Sequence, residues 1–231
     1  GLADVYKRQD RLGPERACAQ GWISPRAMRN GIIVTVLFAC LIGSALLFYA
    51  GWELTIVGLL CVLFAFLYTT GPYPLSYNGW GDVLVIVFFG FVPVGGTYYV
   101  QALTWTSDTT VASLICGLLI DTLLVVNNYR DREADARSGK RTVIVRFGEK
   151  FGRYLYLMLG VAASLLCFWF FFEGHLFAAL LPLLYLIPHV LTWRRMVQIH
   201  SGKKLNSILG ETSRNMLLMG ILLSIGFLIR H

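Results

Sequence analysis

The chain has 231 residues, of which 56% are hydrophobic, 14% aromatic and only 14% charged, with a mean hydropathy of +0.63. That is membrane composition, and it excludes an ordinary soluble globule. The formal charge of +7 and the pI near 9.3 do not call for nucleic acid, because the placement of the basic residues along the chain accounts for them as topology.

The first 30 residues read as a cytoplasmic segment. Gly1 to Gln9 is polar and has no apolar core of the kind a cleavable signal peptide carries. Ser24 followed by Pro25 predicts a helix start, with an N-cap and a proline at the first helical position. Residues 31–231 then read as one all-α transmembrane domain, a polytopic bundle. Apolar runs recur at Gly31 to Ala50, Leu54 to Thr70, Val83 to Tyr99, Val111 to Val126, Tyr154 to Phe172, Leu176 to Trp193 and Asn215 to Ile229. Most approach the ~20 residues that cross a bilayer core, so seven spans are expected.

Between the spans, loops are expected at 70–82, 127–153 and 194–214. The loop from Tyr68 to Asp82 carries Gly71, Pro72, Pro74, Gly79 and Gly81, which rule out a regular helix and predict an ordered connection. Its tyrosines, Tyr68 and Tyr73 among them, are candidates to wall a cavity that holds a reactive carbon centre; an interfacial aromatic belt is the competing reading. Of the 20 lysines and arginines, Arg230 alone falls on the far side of the bundle from the rest. This bias places the N-terminal segment and the loops at 70–82, 127–153 and 194–214 in the cytoplasm, and the C-terminus outside. Cys18, Cys40, Cys61, Cys116 and Cys167 lack CxxC spacing and read as small apolar fillers. Gly90, Pro93, Gly95 and Gly96 predict close packing and a kink in the third span, and His189 beside Pro188 reads as a packed residue.

The chemistry gathers after the fourth span. If the helix continues past Val126, then Asn127, Asp131 and Asp135 lie one above another on a stripe about 12 Å long, because four residues overshoot a turn by about 40°. Oxygen donors of this kind suit a hard divalent cation such as Mg²⁺, which takes one or two carboxylates and leaves its other positions to water and phosphate. Lys140 and Arg141 follow closely, and bases beside carboxylates suit a diphosphate. The competing reading is a solvated helix end with weak i,i+4 pairs. Asp121 lies inside the span, where an ionisable group costs at least about 2.5 kcal/mol unless it meets a partner or a polar cavity. Seven residues before Asn128, it shares that face.

The run NNYRDREADARSGKRTVIVRFG at Asn127 to Gly148 resembles the second aspartate motif of the UbiA superfamily of intramembrane aromatic prenyltransferases, in the branch that acts on 1,4-dihydroxy-2-naphthoate. GPYPLSYNGWGD at Gly71 to Asp82, VPVGGTYYVQ at Val92 to Gln101 and RLGPERACAQGWISP at Arg11 to Pro25 are similar to the same branch. The resemblance implies nine helices around a central cavity, Mg²⁺ held by facing Asp-rich motifs, a polyprenyl diphosphate donor and a naphthoate acceptor in the bacterial cytoplasmic membrane. It assigns Asp131 and Asp135 as metal ligands and Asn127 as their polar partner. Asn128, Arg130, Lys140, Arg141, Tyr68, Tyr73 and Asp121 are then candidate substrate contacts. Lipid is the expected surrounding, and neither nucleic acid nor an obligate protein partner is expected. Two spans of the family and its first Asp-rich motif would precede Arg11, and Gly1 to Gln9 does not match the family, so a truncated chain is expected. Two other functions stay open at this point. One is a sister enzyme acting on 4-hydroxybenzoate or homogentisate; the other is an ion-coupled transporter using Asp121, although no internal repeat supports it.

Overall fold

The computed structural model describes residues 12, 13, 17, 18 and 20–229; the readings placed on Gly1 to Gln9 and on Arg11, Arg16 and Arg230 lie outside them. Every regular element among the described residues is helical. Among the described residues, six helices are long and apolar enough to cross a membrane: α1 (Pro25–Ala50), α3 (Gly81–Ala102), α4 (Ser107–Arg137), α6 (Glu149–Phe172), α7 (Leu176–Ile199) and α8 (Leu205–Leu228). The protein is a polytopic membrane helix bundle. The seventh expected span, α2 (Glu53–Thr69), has 17 residues and is shorter than the other six. It stops where Gly71, Pro72 and Pro74 make further helix impossible.

Helix α1 begins as Ser24 and Pro25 predict, with Ser24 Oγ accepting from the Ala27 amide at 3.2 Å. The polar segments depart from expectation. Of the presumed loop 127–153, residues up to Arg137 continue α4 without a break, and after a tight turn α5 (Val143–Phe147) leads into α6. Thr142 caps α5 through its Oγ1, which accepts from the Val145 amide at 3.3 Å. Likewise α7 runs to Ile199 and α8 starts at Leu205, so most of 194–214 is helix. Charge marks where hydrocarbon ends, but the backbone hydrogen-bond ladder is indifferent to that boundary.

Helix α4 is the central post, and α3, α6 and α8 pack against it. Its contact with α3 depends on missing side chains: a Cβ on Gly90 would lie 2.8 Å from Gly117 Cα, and one on Gly117 would lie 2.9 Å from the Ile86 carbonyl oxygen. Small residues let two membrane helices approach to backbone contact. Over Ile86–Gly95 the helix is widened to π geometry around Pro93, which is the form the expected kink takes. Two apolar cores flank α4. One joins Val125, Val126 and Tyr129 to Tyr156, Met196 and Ile208; the other joins Ile115 and Leu119 to Phe170, Tyr185 and Met219. His189 is fully buried and stacks on Tyr156 and Tyr185, with Nδ1 2.9 Å from the Tyr185 hydroxyl. It is a packed residue, as its sequence position indicates. All five cysteines are free.

Candidate active site

The last three turns of α4 carry Asn127 to Asp135, with Tyr129 still in the apolar core. Arg130 organises them. Its guanidinium is buried and forks onto Asp131, Nε to Oδ1 at 2.8 Å and Nη2 to Oδ2 at 2.7 Å. The same Nη2 donates to Asn127 Oδ1 at 2.6 Å, and Nη1 donates to Asn206 Oδ1 on α8 at 2.8 Å. Asn206 Nδ2 in turn donates to the Leu12 carbonyl at 2.9 Å. Gly13 permits this approach, since a Cβ there would stand 2.9 Å from Arg130 Nη2. A bidentate, charge-assisted pair of this kind fixes both partners in orientation. Asp131 is thereby aimed by the fold, with 18% of its side chain exposed.

Asp135, one turn further on, is held differently. Lys140 Nζ reaches its Oδ2 at 3.2 Å, across the turn in which the Ser138 hydroxyl donates to the Asp135 carbonyl at 2.9 Å. The turn is fastened to the loop after α2, because the Arg141 amide donates to the Tyr77 carbonyl at 2.7 Å and Arg146 Nη2 to the Asn78 carbonyl at 2.8 Å. The expected ordered loop is therefore real, and it sits against the Asp-rich turn. On the α6 side, Arg132 lies over the Tyr129 ring at 4.5 Å and pairs with Glu149 at 3.2 Å. Arg153 donates to the Tyr129 hydroxyl at 2.9 Å and pairs with the same Glu149.

Deeper along α4 lies a second acidic group. Asp121 is 1% exposed, and its Oδ1 is buried without a hydrogen-bond partner among the described residues. Asp82, at the start of α3, is near enough for the two carboxylates to act on one another, and its Oδ1 is orphaned in the same way. Tyr68, at the end of α2, lies within the field of Asp82, Asp121 and Asp135 together. Seven residues fall about 20° short of two turns, so Asp121, Asn128 and Asp135 form a column down α4.

Of the residues singled out in the sequence, Asn127, Arg130 and Asp131 form one hydrogen-bonded cluster. Asp135 and Lys140 form an adjacent pair, and Tyr68 lies within the field of Asp135 and Asp121. Asn128 is buried within the column. Arg141 contributes its backbone to the loop while its side chain is exposed. Tyr73 is 57% exposed and is not drawn into the cluster. Asp82, Asn206 and Gly13 went unnoticed as site residues. Asp82 and Gly13 lie inside two of the blocks that carry the family resemblance, which is the signal that could have found them; Asn206 had none.

No group of three or more His, Cys, Asp or Glu side chains gathers as a metal-ligand set among the described residues. The donors at Asp131, Asp135 and Asn127 are all oxygens, however, and the lone pairs Arg130 and Lys140 leave free on the two carboxylates suffice for an ion that draws most of its shell from water and phosphate. The residues present fit a hard divalent cation.

The profile of the UbiA prenyltransferase family matches residues 7–223. The chain is 36% identical to a 1,4-dihydroxy-2-naphthoate octaprenyltransferase of Haemophilus influenzae, over 96% of this chain and 74% of that protein. Enzymes of the same name from Escherichia coli and Mycobacterium tuberculosis are 38% and 37% identical, each over 69% of this chain and 54% of the relative. The chain thus spans about three quarters of the first relative and a little over half of the other two. A membrane helix bundle with an Asp-rich helix end, matched along nearly its whole length, belongs to the UbiA prenyltransferase family.

Proposed function

We propose that the protein transfers a polyprenyl group from polyprenyl diphosphate to 1,4-dihydroxy-2-naphthoate, giving demethylmenaquinol in menaquinone biosynthesis. The relatives' names support the naphthoate acceptor. The structural observation that carries the reading is the pair Asp131 and Asp135, one turn apart at the end of a buried helix, each already held against a cationic side chain.

In the reaction the C–O bond of the allylic diphosphate breaks, and diphosphate leaves with the electron pair. A ring carbon of the naphthoate forms the new C–C bond, and the carboxylate departs as CO₂, so that no proton need be gained or lost overall. Asp131 and Asp135 would hold a divalent cation, Mg²⁺, with Asn127 beside them; it supplies charge neutralisation for the departing diphosphate. Arg130 acts on Asp131 and Asn127 as a positioning residue, since its donors are committed within the protein. Lys140 has a single contact to Asp135 and 22% side-chain exposure, so it can swing from that carboxylate to a phosphate oxygen. Arg141 is exposed at the same turn and adds a further positive charge. The apolar flanks of α3 and α4 keep water from the allylic carbon. The Lys and Arg bias puts this end of the bundle in the cytoplasm of a bacterium, at the inner membrane.

The test is prenyl transfer in detergent with a long polyprenyl diphosphate, Mg²⁺ and either 1,4-dihydroxy-2-naphthoate or 4-hydroxybenzoate, scored by product mass. Prenylated, decarboxylated product from the naphthoate alone is expected. Product from 4-hydroxybenzoate at an equal rate would overturn the acceptor assignment.

A further inference from the structure

We propose that the cleft between α7 and α8 seats the headgroup of an anionic phospholipid. The cleft encloses about 460 Å³. It opens at the same end of the bundle as the Asp-rich turn, since α8 starts at Leu205 and Asn206 reaches Arg130. It is nevertheless a separate place: Asn215, which lines it, is nine residues from Asn206, two and a half turns away and so on the opposite side of α8.

Arg194, Arg195 and Arg214 line the cleft, with Glu211 the acidic residue among them. Arg195 Nη1 holds Glu211 Oε1 at 2.6 Å, which cancels one positive charge. Arg194 and Arg214 are exposed and make no hydrogen bond or ion pair with the described residues. Two uncompensated guanidiniums at the mouth of one cleft attract an anionic phosphodiester, whose two free oxygens suit the donor fork of an arginine. The polar floor makes no further demand, because Asn215 Nδ2 donates to Thr192 Oγ1 at 2.9 Å.

What commits the site to a lipid rather than to a free phosphate is the surface leading away from the arginines. On α7, Leu191 and Ile187 are 53% and 63% exposed, three and seven residues from Arg194 toward the bilayer centre. On α8, Leu217 and Ile221 are 65% and 47% exposed, three and seven residues from Arg214 in the same direction. Each arginine therefore heads an apolar stripe, since steps of three and seven stay on one helix face. A phosphate at the arginines and an acyl chain along the stripes would occupy both at once. Basic clefts between membrane helices at this depth are suited to anionic lipids.

The test is native mass spectrometry of the purified chain in detergent, titrated with phosphatidylglycerol or with phosphatidylcholine. The expected result is preferential retention of phosphatidylglycerol, an apparent affinity about tenfold weaker in the Arg194→Gln, Arg214→Gln double variant, and near-complete retention in the Arg194→Lys, Arg214→Lys variant. Both side chains are exposed, so near-ultraviolet circular dichroism should be unchanged. Equal retention of the two lipids by the unmodified chain, which involves no variant, overturns the proposal. So does equal phosphatidylglycerol binding by the unmodified chain and the double glutamine variant. Displacement of phosphatidylglycerol by a few millimolar inorganic phosphate would overturn the lipid assignment in favour of a free-phosphate site.

Discussion

Around Arg130 the polar groups are matched: one guanidinium engages Asn127, Asp131 and Asn206. About 14 Å deeper along the same helix, Asp121 keeps an orphaned, buried Oδ1, and Asp82 Oδ1 is in the same condition. Satisfied hydrogen bonds rigidify, so the first cluster holds its carboxylate in place before any ligand arrives. An unsatisfied buried oxygen lowers stability by about 1–3 kcal/mol, and the described residues keep three of them, Asp82 Oδ1, Asp121 Oδ1 and Ser113 Oγ. One region holds its carboxylate in a fixed orientation; the other buries carboxylate oxygens that the described residues leave unpaired.

Substitutions can break this contrast. The largest effect is expected from Asp131→Asn, which keeps the shape and removes the charge: prenyl transfer should fall by at least about a hundredfold, a loss on the order of 3 kcal/mol in transition-state stabilisation. Undiminished turnover at ordinary Mg²⁺ would refute the metal assignment. Arg130→Lys should come next. A lysine cannot fork, so Asp131 and Asn127 lose their fixed orientation. Transfer should drop about tenfold, and the thermal midpoint should fall as charged hydrogen bonds worth about 1.5–3 kcal/mol each are lost. Simultaneous loss in both assays identifies a positioning residue, whereas unchanged stability would argue for direct substrate contact.

Asp121→Asn tests the other region. Replacing a buried carboxyl whose Oδ1 has no hydrogen-bond partner among the described residues should leave the thermal midpoint unchanged or higher, while transfer falls several-fold if the group meets substrate; a large drop in stability would reveal a structural ion partner instead. The smallest effect is expected from Tyr68→Phe, which deletes one hydroxyl beside Asp82, Asp121 and Asp135. A two- to fivefold rise in KM for the acceptor at near-constant kcat is expected, worth about 0.4–1 kcal/mol. Outside the comparison, Gly117→Leu should lower the thermal midpoint through overpacking of about 1–3 kcal/mol, because the Ile86 backbone stands where its Cβ would go.

Much of the site was legible in linear form. The spacing of Asn127, Asp131 and Asp135 shows a shared face to anyone who assumes a helix, and α4 is that helix. Arg130 could not be ranked, because its role depends on Asn206, 76 residues away, which no local pattern marks. The same holds for Asp82: it reads as an acidic residue at a helix start until α3 packs on α4 and buries its Oδ1. The loop boundaries failed for a related reason, since charge reports solvent and not backbone geometry.

By itself the sequence determined the class of protein, the apolar segments and the family, because each of these is written in composition, in period or in a contiguous run. Hydrocarbon demands a helix of sufficient length wherever the chain crosses it, and that demand is local. Tertiary structure alone decided which charges are spent within the fold and which remain available. That is a property of pairs of side chains far apart in the chain, set by how α3, α4, α7 and α8 pack. Asp131 is clamped, Asp121 is orphaned, and Arg194 and Arg214 stand free above an apolar stripe, although all four are simply charged residues near a membrane in the linear chain.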